Sequence, residues 1–170
     1  MPSELVTACT HQLIKRQLSV AFIESATAGR LCSEFALVPN SGQVLKGGII
    51  CYDACVKEDL LKVPSELIER FTPESAEVTK QLAINARSLF PADIHVAITG
   101  LTTEGGSESR EKPVGTMFIH ILIGKKSIAA QSVFKGTAEK IVMQTIDRVA
   151  SLLLERLEEQ HVANPSLQSN

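Results

Sequence analysis

The order of the apolar runs is what most restricts the fold. Residues 18–23 (Leu-Ser-Val-Ala-Phe-Ile) make a short apolar run of strand length, and residues 44–52 make a second that closes on Tyr52. Between them Leu31, Phe35 and Val38 repeat at helical spacing until Pro39-Asn40-Ser41-Gly42 stops the pattern. A third run, 93–99, precedes a glycine- and threonine-bearing loop at 100–113. Residues 114–123 and 127–134 then flank Gly124-Lys125-Lys126 as an antiparallel hairpin. Strands that alternate with helices early and pair as a hairpin late predict an α/β fold, a three-layer α/β/α sandwich built on a mixed sheet.

Further helices are predicted around these strands. Leu5, Cys9 and Leu13 mark one over residues 3–16, and the helix after the first strand starts from about Thr27. Helical pattern resumes at 53–61 and 65–70. Thr72-Pro73-Glu74 then offers an N-cap, a proline at N1 and an early acid, opening a helix along Val78, Leu82, Ala86 and Leu89 to near Phe90-Pro91. The last helix covers 137–157, with Val142, Ile146, Val149 and Leu153 as its stripe. Gly47-Gly48 inside the second strand predicts a bulge or a close backbone approach. At 170 residues the chain fits one domain with a single sizeable core, residues 1–160, followed by a polar tail at 161–170.

Charge and cysteine usage narrow the function classes. A net charge of −2 gives no global attraction to nucleic acid, and no nucleic-acid partner is predicted. No apolar run reaches the roughly 18–20 residues of a membrane span. The Met1-Pro2-Ser3-Glu4 start lacks a basic segment leading into an apolar one, so neither a membrane partner nor a secretory signal is expected. Cys9, Cys32, Cys51 and Cys55 show no Cys-x2-Cys pairing and no ligand-like pattern with the histidines, so no metal is expected. They read as reduced, mostly buried thiols of a cytoplasmic protein.

In an open α/β sheet, ligands bind beyond the carboxyl ends of the strands. Three segments leave strands there: Glu24-Ser25-Ala26-Thr27, Tyr52-Asp53 and Thr99-Gly100. If those ends coincide, Ser25, Thr27, Tyr52, Lys57 and Thr99 share one cleft. A serine at such an end presents its oxygen beside the unpaired N–H groups of the next helix. A lysine made neutral by burial could take its proton, which allows metal-free acyl transfer. Each residue also has a plainer reading. Ser25 reads as an N-cap, Tyr52 as a strand-end tyrosine with its hydroxyl in water, and Lys57 as a solvated helix lysine. Gly105-Gly106 either cradles an anion or lets the loop turn. Taken singly, each residue favours the plainer reading.

Taken together, these segments resemble the carboxy-terminal domain of the competence/damage-inducible CinA family, whose stand-alone members include nicotinamide-nucleotide amidohydrolases. The resemblance is carried by Glu24-Ser25-Ala26-Thr27-Ala28-Gly29-Arg30-Leu31, by Gly47-Gly48-Ile49-Ile50-Cys51-Tyr52 with Lys57, and by Ile98-Thr99-Gly100. Gly105-Gly106 and Glu111-Lys112-Pro113-Val114-Gly115-Thr116 complete it, over residues 5–157. It implies hydrolysis of the carboxamide of nicotinamide mononucleotide, giving nicotinic acid mononucleotide and ammonia with no cofactor. By position, Ser25 would be the nucleophile, Lys57 the base, and Tyr52 an aid to proton transfer or orientation. Thr27, Ser41, Thr99, Gly100, Gly105 and Gly106 would surround the substrate or its oxyanion. The resemblance further implies a small-molecule nucleotide as partner and a homo-oligomer.

The chain departs from the family pattern at several points. Leu101-Thr102-Thr103-Glu104 replaces small residues ahead of Gly105-Gly106, and Glu104 adds negative charge to that loop. Asn40-Ser41-Gly42 replaces a Gly-Ser-Ser turn, Ala54 stands where asparagine is frequent, and residues 136–142 contain no arginine. These departures leave two other outcomes open: a CinA-like binding or assembly module without catalysis, and an amidase for a less anionic substrate.

Overall fold

A computed structural model of the chain describes residues 1–163. The elements run α1 (Glu4–Arg16), β1 (Val20–Glu24), α2 (Arg30–Ala36), β2 (Leu45–Ile50), α3 (Ala54–Asp59), α4 (Ser65–Phe71) and α5 (Ala76–Asn85). They continue with β3 (Ile94–Gly100), β4 (Thr116–Ile123), β5 (Lys126–Val133) and α6 (Ala138–Ala163). One mixed five-stranded sheet has the order β2-β1-β3-β4-β5, with β1 parallel to β2 and β3, and β4 antiparallel to β3 and β5. The expected α/β/α layering on a mixed sheet with a late hairpin is what forms. The polar-tail expectation for 164–170 lies outside the described residues, and 161–163 continue α6. Among the described residues no helix is long and apolar enough to cross a membrane.

Side-chain alternation along the strands divides the core in two. Val20 and Phe22 of β1, Val96 and Ile98 of β3 and Ile119 and Ile121 of β4 pack with α1, α2 and α6, through Leu13, Phe35 and Val149 among others. Ile23, Ala97 and Leu122 face the other way, onto Ile68 of α4 and Val78, Leu82 and Ala83 of α5. The interior strands β1 and β4 are buried along their whole length, whereas the edge strands β2 and β5 alternate. That contrast is why the interior strands read as continuous apolar runs.

Two helix starts differ from expectation. α2 begins at Arg30, not near Thr27, because residues 26–29 form a turn in which Ala28 (φ 47) and Gly29 (φ 91) are left-handed. α5 begins at Ala76 with Ser75, not Thr72, as its N-cap: Ser75 Oγ accepts from Val78 N at 3.3 Å. Thr72 instead adopts φ 70 and ends α4, so the Thr-Pro-Glu signal marks a turn just before the helix. α5 tightens into a 3₁₀ turn at Ala86–Ser88.

Glycine is required where strands crowd. β2 bulges between its pairings with Val20 and Ala21, at a Gly47 with φ 105, and a Cβ on Gly48 would lie 2.6 Å from Phe22 O. Both halves of the Gly47-Gly48 expectation hold. At the end of β3, a Cβ on Gly100 would lie 2.4 Å from Met117 Sδ and 2.7 Å from Thr116 O. Backbone cannot yield as a side chain can, so Gly100→Ala must part β3 from β4. We expect chemical denaturation to show a loss of about 1–3 kcal/mol, the usual cost of overpacking. Wild-type stability would disprove this crowding.

Candidate functional site

The carboxyl ends of β2, β1 and β3 lie side by side. Glu24 pairs with Ile50 and with Ile98, so Ser25 emerges between Cys51 and Thr99. Pairing persists one residue past the strand: Ser25 N donates to Ile98 O at 3.0 Å and Cys51 N donates to Glu24 O at 2.8 Å. Alternation then turns Glu24 toward α2, with Phe22, and Ser25 toward α3 and α5, with Ile23.

Glu24 is the residue that sequence reasoning missed. Its carboxylate, 1% exposed, accepts from Thr27 Oγ1 (2.6 Å), Gly29 N (3.0 Å), Leu31 N (3.0 Å) and Cys32 N (2.8 Å). These are the orphan donors of the α2 N-terminus. The cap expected of Ser25 is therefore supplied by Glu24. Its signal was available: an acid closing an otherwise apolar strand, one residue out of step with Ser25. Ser25 itself is buried, and its Oγ bonds to no other side chain among the described residues. The amides of Ala26 and Thr27 likewise find no acceptor among the described residues. A hydroxyl and two idle N–H groups thus follow one another at the strand end.

Lys57 comes to the same place from α3. It is 1% exposed, not solvated, and no carboxylate ion-pairs with it among the described residues. Its Nζ donates to Cys51 O at 2.6 Å and to Tyr52 O at 3.1 Å. Cys51 is the residue flanking Ser25 on the β2 side, so the amine reaches the strand end that carries the serine, with no hydrogen bond joining the two. Burial pulls the Lys57 amine below its usual 10.5, against the opposing pull of the nearby Cys51 thiol and of the Glu74 and Asp53 carboxylates. A neutral amine has two N–H bonds and one lone pair. The two carbonyls use both N–H bonds and leave the lone pair for a third direction.

The other expected residues divide. Tyr52 contributes its carbonyl to Lys57, while its side chain is 65% exposed. Thr99 is buried on the Ser25 side, its Oγ1 2.8 Å from Thr79 Oγ1. Because Thr79 spends its own proton on Ser75 O, Thr99 is the donor of that pair and keeps acceptor lone pairs. Thr27 likewise spends its hydroxyl proton on Glu24, leaving its amide. Gly105 and Gly106 occupy the loop after β3, and both amides donate to Glu108, at 2.8 Å each. Ser41 is not brought to the cleft. It lies ahead of β2, near the end where Val20 N meets Val44 O, and its Oγ donates to Ala36 O at 3.0 Å. Sequence reading also missed how the loop is tied down: Lys112 Nζ donates to Thr72 Oγ1, Glu74 O and Ser107 Oγ. Among the described residues no three His, Cys, Asp or Glu side chains gather to hold a metal ion, and all four cysteines are free thiols.

Comparison with known proteins gives the family and the fold. The family model of the CinA C-terminal domain matches residues 3–157. A CinA-like protein of Prochlorococcus marinus subsp. pastoris is 38% identical over 136 residues, 79% of this chain and 31% of that protein. The chain thus spans about a third of the length of the relatives it matches. Among solved structures, a competence-damaged protein (CinA) superfamily protein from Escherichia coli superposes with a TM-score of 0.82 at 27% identity, covering 88% of this chain and 87% of that one. A superfamily member from Klebsiella pneumoniae reaches 0.86 over 92% of this chain and 97% of its own, and at 24% identity it speaks for the fold alone.

Proposed function

The chain belongs to the CinA C-terminal domain family, and from that premise and the Ser25–Lys57 geometry we propose that it is a metal-independent amidohydrolase. Its substrate is nicotinamide mononucleotide, its products nicotinic acid mononucleotide and ammonia. The observation that carries this reading is the buried Lys57 amine, without a carboxylate partner, held on the carbonyl of Cys51 beside Ser25. A lysine kept only for structure gains nothing from burial without a counter-charge, whereas a base gains a lowered pKa.

The steps follow from the groups at hand. Lys57 Nζ takes the Ser25 hydroxyl proton as Oγ attacks the carboxamide carbon. The oxyanion that forms is met by the idle amides of Ala26 and Thr27. Collapse breaks the C–N bond, and the Lys57 ammonium returns the proton to the departing nitrogen, which leaves as ammonia. Water then attacks the Ser25 ester, Lys57 takes the water proton, and collapse restores the Ser25 hydroxyl and releases the carboxylate. Tyr52, through its carbonyl, orients the amine.

Ser25→Ala is expected to cut ammonia release from nicotinamide mononucleotide by at least about 10³-fold, as loss of a nucleophile does, with the melting temperature little changed. Release by wild type and not by the variant supports the reading. Absence of release from wild type, at substrate levels that saturate a positive control, ends it. That absence would favour the second reading, a CinA-like binding or assembly module. Its supporting observation is that the Gly105 and Gly106 amides already hold a carboxylate of the chain itself.

A further inference from the structure

Residues 101–113 leave β3 and return to β4 next to the cleft, and they are tied at two points. Lys112 Nζ donates to Thr72 Oγ1 (2.6 Å), Glu74 O (2.9 Å) and Ser107 Oγ (2.6 Å), and Ser107 Oγ in turn donates to Glu74 Oε2. This strap fastens the loop to the turn before α5, the helix whose Thr79 meets Thr99. The second tie is of another kind. Glu108 folds back, one carboxylate oxygen accepting from Gly105 N and the other from Gly106 N, each at 2.8 Å.

That arrangement favours glycine at both positions, by backbone conformation at the first and by the neighbouring Leu101 side chain at the second. Gly105 is left-handed at φ 97, and a Cβ on Gly106 would lie 2.6 Å from Leu101 Cδ2. Successive amides converging on one oxyanion form a nest, a fixed patch of positive charge made by backbone. Lys112 reinforces it. No carboxylate ion-pairs with that ammonium among the described residues, and it lies within electrostatic reach of Glu74 first and of Glu108 second. The strap holds the loop without Glu108, and the Glu108 carboxyl is fully in solvent, free to swing away.

We infer that the Gly105 and Gly106 amides are an oxyanion subsite, and that Glu108 is its tethered occupant, which an oxyanion of the ligand must displace to dock. The inference rests on the amidohydrolase reading for the source of that oxyanion, the phosphate of the nucleotide. Glu108 then sets how strongly a phosphorylated amide is preferred over its nucleoside, because a site mostly filled from within binds more weakly in proportion to its open fraction.

The test is a titration of the full chain with inorganic phosphate, followed on the Gly105 and Gly106 amide signals by NMR, for wild type, Glu108→Gln and Glu108→Ala. Both variants are expected to bind phosphate about three- to tenfold more tightly than wild type, with the shifts centred on those two amides. In turnover, both variants should lower KM for nicotinamide mononucleotide relative to nicotinamide riboside. Equal or weaker phosphate binding in both variants overturns the inference, as do shifts centred elsewhere. So does a loop whose signals are lost without Glu108 and not restored by phosphate, since Glu108 would then be a clasp. The titration needs no catalysis. Tighter phosphate binding without ammonia release would retain the subsite and discard the amidase.

Discussion

Lys57→Met is expected to lower kcat for ammonia release by at least about 10³-fold while the protein stays folded. The side chain is 1% exposed and among the largest fully buried ones, so methionine of similar length and shape fills its channel without a cavity. Two effects on stability oppose each other. Cys51 O and Tyr52 O lose their donor, at about 1–3 kcal/mol for a buried acceptor left alone. Against this, the variant no longer buries an amine lacking an ion-pair partner, a burden of comparable size. A small change in melting temperature with near-total loss of turnover is the signature of a base. Activity within tenfold of wild type would show that the proton of Ser25 goes elsewhere.

The same residue fixes two pH dependences. The base acts as the neutral amine, so kcat/KM should rise with pH to an inflection below 10.5, the ordinary lysine value from which burial lowers it. For stability the sign follows from proton counts. With the folded-state pKa lowered, the unfolded chain binds more protons between that pKa and 10.5, so wild-type stability rises with pH across that window. Below the window both states are protonated and the cost of burying the charge is fully present. Wild type should therefore compare worst with Lys57→Met at lower pH and regain ground as pH climbs toward 10.5. Calorimetry of the two proteins at several pH values measures this; a difference independent of pH would mean that the amine titrates alike folded and unfolded.

What could be read from the sequence was what repeats or is covalently local. The runs that became β1, β3 and β4 announced themselves because strands buried on both faces carry apolar side chains at most positions. Gly47-Gly48 announced the bulge because only glycine tolerates both the left-handed backbone and the approach to Phe22 O. Less legible was anything decided by how a turn folds the chain back on its own backbone. Lys57 looks like any helix lysine until Cys51 and Tyr52 are folded over it. Thr72 looked like a cap because Thr-Pro-Glu is good cap chemistry, yet Ser75, with less conspicuous neighbours, takes that place. Ser41 was implied by the family resemblance alone and lies away from the cleft, because the crossover through α2 carries it back along the sheet.

Glu24→Ala is expected to cost about 2–4 kcal/mol in stability and, at temperatures where the variant is still folded, to lower turnover by at least about 10²-fold. Removing the carboxylate strands the amides of Gly29, Leu31 and Cys32 together with the Thr27 hydroxyl. Each buried donor left alone costs about 1–3 kcal/mol, and the half-exposed ones recover part of that from water. The loss in rate has a separate origin. Ala28 is held at φ 47, a conformation that costs a non-glycine residue and persists only when its surroundings impose it. Glu24 imposes it from both sides, holding Thr27 before and Gly29 after, and the Ala26 and Thr27 amides proposed to receive the oxyanion lie in that same turn. Glu24→Gln separates the two effects. With its NH2 at the Oε1 position it faces only the Cys32 amide wrongly and keeps the other three donors, so most of the stability should return, about 1–2 kcal/mol short of wild type. Turnover should recover in step if the turn is what matters, as read by kcat at fixed folded fraction. A Glu24→Ala protein as stable and as active as wild type would mean that the serine holds its position by some other means.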